Sequence, residues 1–333
     1  MFRKIIMAVG LLFLGCSYAV AQGNDQKLKI ITTLFPTYDF VRQIGQDKVH
    51  VSLLLPPGVE SHTFEPTPQD VVKINKADVF IYTGKYMEPW VEDLLKGVSS
   101  KNLTVVDASF GVALMEDVDH DEDKDHHEAE HDEGREGDEE EHGHEVGEER
   151  EHHHHGGKDP HIWTDLANDQ IMVDTIAKVL AEKDPANSAF YLNNAHGYKA
   201  KLADLDRRFK EALSTAKYKK IIYGGHFAFG YFAKRYGLEH DSPYDGFSPN
   251  AEPSPKAIAE LINKLKRSGM KYIYYEELLD PKVARIIAQE TGAKLELLHG
   301  AHNVSKDELK SGVTFLGLME ENLKKLRVGL ECP

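Results

Sequence analysis

Short apolar runs and longer amphipathic stripes alternate along this chain, and their spacing predicts its elements. Lys29-Ile30-Ile31-Thr32-Thr33-Leu34 has the pattern of a buried strand. Val49 to Leu55, Val79 to Tyr82 and Leu103 to Val106 are further strand candidates. Helical spacing fits between them, near residues 37–46, 67–76 and 87–98. The second half repeats the style, with strands expected at Ile221-Ile222-Tyr223, Tyr272 to Tyr275 and Leu295 to Leu298. Ser254 can cap a helix that Pro255 opens, with Ile258, Leu261, Ile262 and Leu265 as its apolar stripe. Another helix begins at Asp280-Pro281, carries Val283, Ile286 and Ile287, and stops at Gly292. A last helix is predicted over 306–327, with Val313, Leu316, Met319, Leu323 and Leu326 facing inward. Strands and helices in alternation imply mostly parallel sheets with helices on both faces.

A helical region separates the two βα stretches. From Asp184-Pro185 to about Ala216 there is no further proline, and Gly197 is the only glycine. Leu192, Tyr198, Leu202, Leu205 and Phe209 recur there at helical spacing. One helix over 185–216 would be on the order of 45 Å long, enough to run along both halves as a stiff connector. Two helices broken near Gly197 are the alternative. The expected fold class is therefore α/β: two βα, Rossmann-like lobes joined by a long rigid helix. The expected boundaries are 27–167 for the first lobe, 168–217 for the helical region and 218–333 for the second lobe. The chain's 333 residues suit about two domains. A stiff connector also predicts small motion between the lobes.

Charge changes the picture at one place. Residues 116–157 hold 20 Asp or Glu, 3 Lys or Arg, and 10 His, with almost nothing apolar. That segment carries a net −17 of the chain's −15, so the remainder carries +2. It cannot bury enough surface to offset the entropy of ordering it, and is expected to be a disordered insert in the first lobe. The acidic balance argues against a nucleic-acid partner.

The N-terminus has the pattern of an export signal over residues 1–21. Arg3 and Lys4 precede an apolar run from Ile5 to Gly15 that is too short to span a bilayer, and Ala19-Val20-Ala21 fits a cleavage site. Phe13-Leu14-Gly15-Cys16 is the competing pattern, a lipobox in which Cys16 would be lipidated. Either way the chain is expected outside the cytoplasm, in the periplasm or tethered to a membrane. Only Cys332 then remains, so no internal disulfide forms and thiolate ligation of a metal is not expected.

Eight histidines lie outside the acidic segment: His50, His62, His161, His196, His226, His240, His299 and His302. In open α/β sheets, ligands bind beyond the carboxyl ends of strands. His62 follows the strand ending at Leu55, His226 the strand ending at Tyr223, and His302 the strand ending at Leu298. His161 stands where the acidic segment returns to patterned sequence, in Asp159-Pro160-His161-Ile162-Trp163. Two fall in each half, so facing lobes would gather them in the cleft. Four imidazoles suit tetrahedral Zn²⁺, whereas Mg²⁺ and Ca²⁺ want oxygen and Mn²⁺ would recruit carboxylates. Taken singly, each is more often a surface or capping residue than a ligand. His50 and His196 read as surface residues, and His299 is close enough to His302 to substitute for it.

Longer motifs surround these residues. They are Pro56-Pro57-Gly58-Val59-Glu60-Ser61-His62 with Phe64-Glu65-Pro66, and Asp159-Pro160-His161-Ile162-Trp163. His226-Phe227-Ala228-Phe229-Gly230-Tyr231, Glu252-Pro253-Ser254-Pro255 and Leu298-His299-Gly300-Ala301-His302-Asn303 complete the set. Together they resemble the metal-binding proteins of bacterial ABC importers, in the zinc-uptake (ZnuA-like or TroA-like) branch, over nearly all of the chain after the signal. The resemblance implies two lobes, a rigid helix, and a metal in the interlobe cleft. It implies His62, His161 and His226 as ligands, with the fourth place open to His302, Glu60 or water. It further implies Zn²⁺ as the transported ligand, an ABC membrane permease as partner, and a chain that acts as a monomer.

Rival readings change the ion to Mn, Ni or Cu, make the chain a membrane-tethered metal buffer or adhesin, or make it a zinc hydrolase with Glu60 as base. A catalytic zinc usually has three protein ligands and an open position for water, and the chain is expected not to be an enzyme. The acidic segment offers His120, His126, His127, His131, His142, His144, His152, His153, His154 and His155 as an auxiliary zinc collector. Many weak sites on one tether raise the local ion concentration. Deleting residues 116–157 is expected to slow zinc acquisition at limiting metal, measured as uptake in cells. Uptake equal to that of the intact chain would make the segment a solvated insert without a role in transport.

Overall fold

The computed structural model describes residues 27–116, 157–244 and 252–333. The signal segment, Cys16 and the ten histidines from His120 to His155 lie outside the described residues. The first sheet contains β1 (Leu28–Thr32), β2 (Val49–Leu53), β3 (Val79–Tyr82) and β4 (Thr104–Asp107), all parallel, in the order β2-β1-β3-β4. The intervening helices are α1 (Phe35–Gly45), α2 (Pro68–Ile74) and α3 (Val91–Lys96). Successive strand residues point to opposite faces. Ile30 and Val79 therefore enter the main core, while Ile31 and Phe80 join a smaller cluster with Ile74 and Leu94.

Two helices follow, α4 (Leu166–Lys183) and α5 (Ser188–Ser214), with a 3-10 turn at Pro185–Asn187 between them. Helix α5 runs unbroken through Gly197, and its 27 residues make it about 40 Å long. Its buried stripe is Tyr191, Ala195, Tyr198, Leu202, Leu205, Phe209 and Leu213. Leu192, expected in that stripe, is 49% exposed; the neighbouring Tyr191 takes the inward position and bonds Asp184.

The second half holds α6 (Gly230–Tyr236), α7 (Pro255–Ser268), α8 (Lys282–Thr291), α9 (Lys306–Ser311) and α10 (Phe315–Gly329). Its strands are β5 (Lys220–Ile222), β6 (Glu239–Asp241), β7 (Tyr272–Tyr275) and β8 (Lys294–Leu297), in parallel pairs β5-β6 and β7-β8. A parallel bridge between Tyr223 and Tyr274 joins the pairs. The single helix expected over 306–327 is instead two. Its first part ends at Gly312, and Thr314 starts the second by accepting the Gly317 N–H. Strand β6 escaped the hydrophobic pattern because its Glu-His-Asp sequence, on a short edge strand, has nothing to alternate.

One apolar core runs through both halves and along α5. Helix α10 reaches back to α1, where Phe315 meets Phe40 edge-on with ring centroids 5.1 Å apart and its N–H donates to Asp39. Polar contacts repeat the tie. Arg235 on α6 grips Asp206 on α5 through two hydrogen bonds of 2.6 and 2.7 Å. It also lies 3.1 Å from Asp165, the residue that caps α4. Among the described residues, no helix is long and apolar enough to cross a membrane.

Burial alone would raise the Asp206 carboxyl, but Arg235, Lys210 and Tyr236 outweigh it and hold the group at about 2, below its ordinary 3.8. A depressed acid stabilises the fold above its unfolded-state value, and that contribution fades as pH falls toward 2. In urea titrations Asp206→Asn is expected to cost about 1–2 kcal/mol at pH 7. The gap between variant and parent should close between pH 4 and 2.

Candidate metal centre

Each candidate ligand leaves the fold from a loop that a neighbouring element holds. His62 stands in the loop between β2 and α2. The Glu60 carboxylate accepts the N–H of His62 at 3.0 Å and that of Thr63 at 2.9 Å, fixing the turn from which the ring projects. His161 precedes a 3-10 turn at Ile162–Thr164 and is fully buried. His226 follows β5 and is buried; His302 follows β8 and is nearly so.

Carboxylates face the Nδ1 edge of three of the four rings, and bond it in His161 and His302. Asp159 Oδ1 lies 2.9 Å from His161 Nδ1 and also accepts the His161 N–H at 2.9 Å. Glu276 Oε2 touches His226 Nδ1. Glu277 Oε1 lies 3.1 Å from His302 Nδ1, while its other oxygen accepts the Gly300 N–H at 2.7 Å. A carboxylate on Nδ1 places the ring proton there and leaves Nε2 as a lone-pair donor. Burial would raise the Glu277 carboxyl, but the facing His299 and His302 hold it well below the usual carboxylate range.

The opposite ring edges converge. One ligand atom from each of His62, His161, His226 and His302 lies within 4.8 Å of the other three. The ring centroids are 5.1–5.6 Å apart in all six pairs. His62 Nε2 and His161 Nε2 are 3.2 Å apart. Tetrahedral zinc with Zn–N bonds of 2.0–2.1 Å separates its ligand nitrogens by about 3.3 Å. Nε2 of His226 and of His302 are buried and find no hydrogen-bond partner among the described residues. Burial first, and then the other three rings, push the His161 pKa well below its ordinary value, so that this imidazole stays neutral and able to ligate.

The backbone around His302 is shaped for this arrangement. Ala301 has φ +60°, the left-handed region that a residue with a Cβ rarely adopts. A Cβ on Gly300 would come within 2.7 Å of the His302 ring, so only glycine lets the ring fold back over its own loop. Trp163 fills the space beneath, its Nε1 donating to the Gly300 carbonyl at 2.7 Å and its ring 5.2 Å from that of His302.

The other candidates stand elsewhere. Glu60 is outside the group of four, because both its oxygens are turned to backbone N–H groups. His299 is buried beside the group but not in it: its Nδ1 accepts the Ala301 N–H, and its Nε2 faces Glu308 at 3.7 Å. His50 and His196 are exposed, and His240 stacks on Phe227 at 3.8 Å. Sequence reading missed Glu276 and Glu277 as supporting groups. Their signal was present, since they directly follow β7 at the carboxyl end of a strand, where the histidines had been sought.

Two βα lobes on a long helix, with donor groups of both meeting between them, define the class of two-lobed metal-binding proteins. Within it, the chain belongs to the family of the periplasmic zinc-uptake complex component A (ZnuA), whose family model matches residues 30–329. It is 37% identical over 339 residues to the high-affinity zinc uptake system protein ZnuA of Bacillus subtilis (strain 168), with 99% of each chain covered. It is 35% identical over 330 residues to the zinc-binding protein AdcA of Streptococcus pyogenes serotype M3, covering 98% of this chain but only 61% of that relative's length. The Zn(II)-bound ZnuA-like domain of Streptococcus pneumoniae AdcA superposes with a TM-score of 0.71 at 31% identity, over 92% of this chain and all of that domain.

Gly300→Ala is expected to displace the His302 ring while leaving the core intact. Zinc affinity should fall roughly 10–100-fold, with little change in melting temperature of the metal-free protein. Competition with a chelator of known affinity measures the first, and calorimetry the second.

Proposed function

We propose that this protein captures Zn²⁺ outside the cytoplasm with His62, His161, His226 and His302 and delivers it to an ABC-type membrane permease. The observation that carries this is the convergence of four imidazole nitrogens from two lobes within 4.8 Å. Four neutral nitrogen donors match the charge, size and tetrahedral preference of zinc. The three nearby carboxylates lie at the Nδ1 edges, on the side of the rings away from the shared centre, where they do not offer the oxygen ligands that manganese would recruit. Membership in a zinc-uptake family favours zinc over nickel and copper, which imidazole also accepts.

The reading extends to the chain's organisation. The first lobe covers 27–167, the helical region 168–217 and the second lobe 218–333. Both halves of the site come from one chain, so a monomer suffices. A catalytic zinc keeps an open coordination position and a base beside it. Here four rings close the position, and Glu60 is engaged with the backbone on both oxygens, which disfavours a hydrolase.

Zinc titration by calorimetry at neutral pH, on the mature chain lacking residues 116–157, tests the proposal. One tight site per chain is expected, weakened at least roughly 100-fold by His226→Ala. A loop-deleted protein without a tight site would move metal binding to the acidic segment and leave the cleft to another solute.

A further inference from the structure

The loops that carry the ligands are held from across the cleft. Residues Pro56 to Val59, which lead to His62 in the first lobe, form a turn closed by the Val59 N–H on the Pro56 carbonyl at 3.1 Å. Asn303 of the second lobe sits inside that turn. Its amide group donates to the Pro56 carbonyl at 2.7 Å and to the Val59 carbonyl at 2.9 Å, while its own oxygen accepts the Val304 N–H. The Val304 carbonyl in turn accepts the Gly58 N–H at 2.9 Å. Asn303 is fully buried, so each of these groups would lose a partner that water could not replace.

His161 is held in the same way. Tyr231, on α6 of the second lobe, accepts the Met115 N–H at 2.9 Å and donates to the Asp159 carbonyl at 3.1 Å. Asp159 is the residue whose carboxylate orients the His161 ring. The preceding Gly230 leaves room for that carboxylate, since a Cβ there would lie 2.4 Å from Asp159 Oδ2. The brace runs the other way at His302, whose carbonyl accepts the Phe35 N–H of the first lobe at 3.2 Å.

We propose that Asn303 and Tyr231 are positioning residues for the zinc site, each supplied by the second lobe to fix a ligand loop of the first. The inference rests on the zinc reading of the four histidines. It adds a mechanism of release: separating the lobes withdraws Asn303 from the His62 loop and Tyr231 from Asp159 together. Two ligands then lose their orientation in one movement, and a small opening suffices to let the ion go. The same bonds make zinc retention a readout of lobe contact, because neither residue reaches the ion itself.

The test is zinc release from the full chain, followed by rapid mixing with excess chelator, for the parent, Tyr231→Phe and Asn303→Ala. Tyr231→Phe removes one oxygen and keeps the ring, so it preserves packing if Asn303→Ala does not fold. Leu94→Ala, in the small apolar cluster on the far face of the first sheet, serves as a control for general loss of stability. Both positioning variants are expected to release zinc roughly 10-fold faster or more, with altered visible absorption of the Co²⁺-loaded protein. Leu94→Ala should keep the parent's release rate and cobalt spectrum despite a lower melting temperature. Parent-like release from Tyr231→Phe with an unchanged cobalt spectrum would overturn the inference while leaving the zinc reading intact. A parent chain that holds no zinc would overturn both.

Discussion

Two imidazole nitrogens 3.2 Å apart, as in His62 and His161, repel each other unless a proton or a cation lies between them. Here that constraint is extended to four rings. Bringing them together requires that each Nδ1 edge be turned outward to a partner, and that the rings stay neutral. Burial keeps His161 neutral, and Asp159, Glu276 and Glu277 take up the Nδ1 edges. The unfavourable meeting of lone pairs then becomes a strong preference for one small divalent cation.

Such a site has to be held by something stiffer than its own loops. Much of that stiffness comes from a core that does not stop at the lobe boundary. It runs from the first sheet along α5 into the second, and α10 returns across it to α1. Arg235 links α4, α5 and α6 through Asp165 and Asp206. The two lobes are thereby tied at several points through one continuous core. Cross-lobe braces at Asn303 and Tyr231 mean that little movement is needed to loosen the ligands.

Selection of the ion follows from where the carboxylates point. Several are close, and a hard cation would prefer their oxygens. Each is committed to a ring edge or a backbone N–H, which leaves nitrogen alone facing the centre. The same commitment reaches Glu60, which in a hydrolase would act as base at a catalytic zinc site. There a carboxylate and an open position would both face the metal; here Glu60 serves the backbone of its own turn.

Most of the architecture was legible in the sequence because it rests on local rules. Apolar runs located seven of the eight strands among the described residues, and the interrupted supply of Gly and Pro bounded α5. Placement after strands picked out His62, His226 and His302, and the return of patterned sequence after the acidic segment picked out His161. The readings that failed were those where a local signal had two outcomes. Leu192 and Tyr191 are both apolar neighbours on one helix, and only the packing partner decides which turns inward. Ser311-Gly312-Val313-Thr314 could be crossed by one helix or split it, and the contact of Phe315 with α1 favours the split. His302 was preferred on paper, with His299 as a possible substitute. The left-handed turn at Ala301 and the space over Gly300 send one ring into the cleft and the other toward Glu308. The sequence by itself determined which residue types were available and at which loop each would emerge, since those depend on short-range periodicity. Only the tertiary structure decided which atoms meet, because the approach of two lobes through a shared core is set by contacts hundreds of residues apart in the chain, such as Asn303 with Pro56.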